Sequence, residues 1–163
     1  MPDIPRTDGA DSFVNIEEKF RAITDRIAWC TVATVDRQGR PRSRILHPVW
    51  EGPTGYIATG RHSHKQKHLA QNPFVSLSYW DPQHEQAIIE CKTEWADDDQ
   101  TKRHVWELFK NAPEPVGYDP ATIWQTVENP EYGVLKLTPW RLSVWSMQAM
   151  TSGEPEEVWR QHV

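Results

Sequence analysis

Apolar and polar residues alternate through WCTVATV (Trp29 to Val35), and the two-residue period returns in FVSLSYW (Phe74 to Trp80) and QAIIECKTEW (Gln86 to Trp95). Alternation of this kind predicts half-buried strands. PRSRILHPVW reads as another strand with Pro41 at its start, between the turns DRQG (36–39) and EGPTG (51–55), and YIAT follows. Strand, turn, strand, turn, strand within roughly thirty residues implies an antiparallel sheet. YGVLKL and RLSVWSM predict two closing strands.

The period lengthens in a few connections. Asn15 with Glu18 has the form of a capping box and predicts a helix to Asp25. Ser63 is placed to cap a short helix from His64 to Gln71, which Asn72-Pro73 would end. Asp97 to Asp99 put negative charge at the start of a helix reaching Lys110, with Val105, Trp106, Leu108 and Phe109 as its apolar face. Asp119-Pro120 predicts one more short helix. The result is a mainly β, α+β chain of six or seven antiparallel strands. Closure into a barrel would remove exposed edges, and an open sheet is the alternative. Residues 1–15 read as a flexible Pro/Asp-rich arm, 16–150 as the single domain and 151–163 as a polar tail.

Composition narrows the class. The 163 residues carry a net charge of −5 and a mean hydropathy of −0.72, with no apolar run long enough to span a bilayer. The N-terminus shows no basic-then-apolar leader. Cys30 and Cys91 lie in apolar runs, as buried thiols in a reducing compartment do, so a cytoplasmic location is expected. The nine tryptophans suit packing, subunit interfaces or flat ligands. Trp50, Trp80 and Trp145 are expected in the core or at an interface, with the substrate side of a pocket as the other option.

Charge is uneven. From Asp36 to His68 there are seven Arg/Lys against two acids, a local +5 on a chain whose remainder sums to −10. An acidic chain with one confined basic segment fits an anion pocket better than a nucleic-acid surface. TGRHSHKQKHLAQNP, from Thr59 to Pro73, lies in that segment. His64 and His68 would share a helix face as two metal ligands could, yet Lys65 and Lys67 flank them and no carboxylate stands nearby, so no metal site is expected. A strand end, Ser63 and Lys65 fit a phosphate better, with Arg42 and Arg44 alternating onto one face of the preceding strand. Two arginines on one face are costly to bury without an anion. A solvated sheet edge is the competing reading.

Taken in order, GRPRSRIL from Gly39, GYIATG from Gly55, SHK from Ser63, NPFVSL from Asn72 and EQA from Glu85 resemble the flavin-binding half of the pyridoxamine 5'-phosphate oxidase-like split-barrel superfamily. The likeness covers Ile27 to Trp95 and extends loosely to Met147. It implies a split β-barrel, a homodimer, and FMN held between subunits. The resemblance assigns the phosphate to Arg44, His64 and Lys65, with Ser63 as a further donor, and flavin or phosphate contacts to Ala58 and Thr59. Ile45 and Leu46 would run beside the ring, and Gln86 would reach it from the next part of the sheet. Val49 stands where the oxidases proper have lysine, and His64 where they have arginine. No arginine/histidine substrate element follows Trp145. The resemblance therefore implies an FMN-dependent oxidoreductase acting by hydride transfer on a small organic substrate. An 8-hydroxy-5-deazaflavin-dependent reductase, or a non-enzymatic flavin- or haem-binding stress protein, is the alternative on the same barrel. No catalytic acid or base is assigned.

Overall fold

The computed structural model describes residues 6–10 and 12–161, with side chains from residue 12 onward. In chain order it runs β1 (Arg6–Ala10), α1 (Val14–Thr24), β2 (Cys30–Val35), β3 (Pro41–Leu46), β4 (Pro48–Glu51), β5 (Thr54–Gly60) and α2 (His64–Leu69). There follow β6 (Phe74–Trp80), β7 (Glu85–Trp95), α3 (Asp99–Asn111), α4 (Ala121–Trp124), β8 (Tyr132–Ser146), α5 (Met147–Ser152) and β9 (Glu156–Arg160). One sheet has the order β1-β9-β8-β7-β6-β2-β3, and β5 joins β8 with β4 at its side. Every pairing is antiparallel except β1 with β9. This is the α+β split barrel, half-closed around a common core. No helix among the described residues is long and apolar enough to cross a membrane.

The inward faces of β2, β6, β7 and β8 supply Val32, Leu77, Ile89 and Leu142, all essentially inaccessible to solvent. Helix α1 buries Ile16, Phe20 and Ile23 against this cluster. Trp50 closes it, its ring 5.0 Å from Phe20 and its indole N–H donating to the Tyr79 hydroxyl at 3.0 Å. Gly55 stands opposite Trp50, and a Cβ there would lie 2.7 Å from the indole ring, so only glycine lets that side chain lie down. A second cluster forms where Val105 and Phe109 of α3 meet Val49, Tyr56 and Val134.

Four local readings change. The predicted Pro41 to Trp50 strand is two strands: β3 pairs with β2, and β4 turns away at His47 to pair with β5. Pro48 has no N–H to continue a ladder and is tolerated as the first residue of the new strand. YGVLKL and RLSVWSM, conversely, form the single strand β8. Pro139 sits at a bulge where the register slips between Glu90 and Cys91, leaving Trp140 extra. Helix α1 begins at Val14 and makes no side-chain cap. Phe13 fixes its entry instead, packed edge-on to Phe20 and Trp159 at 5.9 and 5.7 Å.

The fourth concerns the chain ends. Residues 151–163, read as a polar tail, contain the end of α5 and the strand β9, whose Val158 and Trp159 are buried. Two apolar residues among charged ones leave little pattern, but once β9 is held by β8, Trp159 joins the core opposite Leu142 while Val158 is buried on the other face, opposite Ser143. Of the arm expected over 1–15, residues 6–10 form β1 beside β9, while 1–5 and 11 lie outside the described residues.

Candidate functional site

The hairpin β2–β3 is built by the DRQG turn. Asp36 accepts from the backbone N–H groups of Gln38 and Arg40, and Gly39 adopts a positive φ of 76°. The turn fixes the register so that Thr34 lies opposite Arg42, one diagonal step from Arg44. Helix α2 then packs across β2, bringing His64, Lys65 and His68 over the same end of the hairpin. Between them lies a cavity of about 390 Å³ lined by Arg42, Ser43, Arg44, His64, Lys65 and His68.

No carboxylate lines this cavity. Two other cations of the basic segment are committed elsewhere: Arg40 donates to Asp36 at 2.9 Å, and Arg61 holds Asp97 through two bonds of 2.7 and 2.8 Å. Arg42 lies 3.8 Å from Asp36, a loose contact from an exposed guanidinium to a buried carboxylate. Arg44 donates from Nη2 to the Thr34 hydroxyl at 2.9 Å, while its Nη1 is buried with no protein partner. Lys65 is buried, and its ammonium donates to Ser63 Oγ at 2.6 Å. Burial, and after it the neighbouring Arg44, lowers the Lys65 pKa below the ordinary lysine value. Burial, and after it Arg42, likewise disfavours the charged form of Arg44.

A cluster of like charges with an unpaired buried N–H is costly, and a bound oxyanion relieves it by supplying both charge and acceptors. The donor set fits a phosphate monoester. Arg44, Lys65 and His64, expected there, are brought together, with Ser63 holding the Lys65 ammonium. Ser63 occupies the position before α2, but its hydroxyl accepts a hydrogen bond from the Lys65 ammonium rather than capping the helix.

The remaining expected contacts are placed differently. Ile45 is exposed on the outer sheet face, in one cross-strand row with Thr31, Ser78 and Ile88. Gln86 shares that outer face, paired with Trp80 and Trp145. Leu46 turns inward and packs on the core, because alternation from Ile45 leaves it no other side. Ala58 and Thr59 lie on β5 opposite Val134 and Gly133, on the strand leading to Ser63 and outside the cavity lining. Val49 is buried in the cluster under α3, which leaves no place for an ammonium.

Thr34 and His68 were not among the expected site residues. His68 was legible as the residue four after His64. Thr34 was legible only by counting the hairpin register back from DRQG. Asp98 accepts from the Thr101 N–H at 2.8 Å as the cap of α3, which with the Arg61–Asp97 pair accounts for two of the three consecutive aspartates. Among the described residues, no group of three or more His, Cys, Asp or Glu is arranged to hold a metal ion.

Comparison with known proteins is consistent with this geometry. A search of curated protein sequences gives no match. Among solved structures, a protein of Clostridium acetobutylicum related to general stress protein 26 superposes with a TM-score of 0.67 at 12% identity, covering 91% of this chain and 93% of that one. A pyridoxamine 5'-phosphate oxidase-related, FMN-binding protein of Nostoc punctiforme gives 0.58 at 19% identity, over 94% and 89%. A structure described as an F420 reductase gives 0.58 at 19%, over 76% and 94%. At these identities the superpositions establish the fold alone. The sequence itself goes further, because residues 16–146 match the family model for pyridoxamine 5'-phosphate oxidase, spanning α1 to the end of β8 and including every cation of the cavity. On that match the chain belongs to the pyridoxamine 5'-phosphate oxidase family.

Proposed function

We propose that the protein is a flavin-dependent oxidoreductase that binds FMN by its phosphate in the Arg44–Lys65 cavity, as a homodimer with the cofactor at the subunit interface. The observation that carries this reading is the buried, partnerless Nη1 of Arg44 beside a buried lysine, in a cavity without a carboxylate. Arg44 and Lys65 neutralise the phosphate, Ser63 holds the Lys65 ammonium in place, and Arg42 and His64 complete the cationic wall. Bound flavin would supply the two-electron chemistry, exchanging a hydride with a small organic substrate. The protein's own part is to anchor and orient the cofactor and to shape the pocket over the outer sheet face, where Ile45 and Gln86 lie. The side chain at position 49 is valine, so no lysine acts there.

The cations recognise a phosphate and not a particular ring, so 8-hydroxy-5-deazaflavin fits the same anchor. The visible spectrum of the purified protein and titration with each cofactor separate the two. FMN binding to the wild type is expected, and Arg44→Ala or Lys65→Ala should each weaken it by about 1.5–3 kcal/mol, the scale of a charge-assisted hydrogen bond. Tight binding of the deazaflavin alone would move the assignment to a reductase using that cofactor. A Soret band would replace it with haem binding, and unchanged FMN affinity in both variants would put the phosphate elsewhere.

A further inference from the structure

The anion cavity has a second layer with two acceptable hydrogen-bond arrangements. Thr34, on β2 and only 2% exposed, stands behind the cavity wall. Its Oγ1 has three neighbours: Arg44 Nη2 at 2.9 Å, His68 Nδ1 at 3.1 Å and the Arg42 carbonyl at 3.4 Å. A threonine hydroxyl has one hydrogen and two lone pairs. Arg44 always takes one lone pair. With Nδ1 of a neutral His68 as acceptor, Thr34 donates its hydrogen to that nitrogen. With His68 protonated, Nδ1–H donates to the second lone pair, and the hydroxyl hydrogen turns to the Arg42 carbonyl. The Thr34 hydroxyl is satisfied in both states, and it keeps its bond from Arg44 Nη2 in each.

We propose that Thr34 and His68 are positioning residues of the anion site, coupling uptake of a dianion to protonation of His68. This rests on the cavity being the anion anchor of the proposed function. The groups that face His68 favour the coupling. Arg42 and Arg44 come from β3, Lys65 and His64 from α2 itself, and Thr34 from β2. The nearest acid of that hairpin, Asp36, is occupied by Arg40. A dianion bound among these groups would be a direct electrostatic partner for an imidazolium at His68, so the ligand recruits that charge. Imidazole is the side chain whose charge ordinarily changes between about pH 5 and 8.

Sulfate is the suitable probe, because it stays a dianion throughout that range and any proton taken up must enter the protein. Calorimetric titration of the full chain with sulfate, in paired buffers of different ionisation heat, counts those protons. The expected result is net uptake near pH 7, with affinity falling at least about tenfold from pH 5.5 to 8, the effect of an opposite charge within contact range. His68→Gln should bind sulfate with proton uptake clearly reduced, while His104→Gln, altered at a histidine that pairs with Glu51 outside the cavity, should retain all of it. Thr34→Val should weaken sulfate binding at every pH, and Thr34→Ser should restore it.

Uptake that survives undiminished in His68→Gln overturns the proposal, as does a Thr34→Val protein that binds like the wild type. The flavin reading fails separately. Proton-linked sulfate binding in a protein that ignores FMN upholds the coupling and removes the flavin. Tight FMN binding with no proton-linked sulfate binding does the reverse.

Discussion

Lys65 shows what the site costs at the scale of one residue. Its ammonium is buried beside Arg44, and burial followed by that neighbour sets its pKa below the ordinary lysine value of 10.5. The sign follows by linkage. Between the lowered folded value and the unfolded one, the unfolded chain binds more protons, so stability rises with pH across that window. Burial thus disfavours the charged form in the folded protein. Lys65→Met should therefore raise the thermal midpoint of the ligand-free protein by about 2–4 °C, the effect of about 1 kcal/mol in a domain of this size, while weakening anion binding. Calorimetric scans with and without sulfate check both halves, and a Met variant less stable than wild type would show that Lys65 is a structural residue. Lys65 and the Arg42/Arg44 pair could be placed in the sequence from strand alternation and the turn before α2, whereas Arg44 in particular and His64 entered through the family resemblance. Thr34 could not, since a threonine in a β-branched strand carries no signal until the hairpin register is known.

The same contrast recurs among the elements. β2, β6 and β7 were legible because they are half-buried and alternate cleanly. The break at His47-Pro48 and the fusion of two apparent strands into β8 were not. Both depend on which neighbour each segment pairs with, a tertiary choice that a local pattern does not record. β9 is the clearest case. Its sequence EEVWR is charged, yet Trp159 is 7% exposed and lies against Phe13, which in turn meets Phe20 of α1. The strand is thus a clasp that holds the start of α1 onto the core. Trp159→Ala should cost about 3–5 kcal/mol, the scale of emptying an aromatic site in a core, measured by urea unfolding. A loss below about 0.5 kcal/mol, the scale of a surface substitution, would mean that β9 is dispensable.

For the whole molecule, the informative feature is the outer face of the sheet. Its inner face is buried by α1 and the curl of β8, but Ile45, Phe74 and Trp80 stand more than half exposed on the other side. Phe74 and Trp140 also flank a hollow of about 280 Å³ that runs past Ala33 and Ser76 to Glu90. β3 has β2 on one side and no strand on the other, among the described residues. Exposed large apolar side chains on one sheet face beside an open edge are what an interface between copies covers. The anion cavity lies at the β3 edge, with Arg42 and Arg44 on the strand face opposite Ile45, so in the proposed dimer a partner seated along this edge would wall the cofactor's ring while Arg44 and Lys65 hold its phosphate. Light scattering should therefore give twice the 19.0 kDa chain mass for the wild type and a single chain for Phe74→Glu. Phe74 does not line the anion cavity. The variant should accordingly keep sulfate binding while losing most of its FMN affinity, which separates the phosphate anchor from the ring pocket. A wild type that scatters as one chain at micromolar concentration and still binds FMN tightly would place the whole cofactor site within a single barrel.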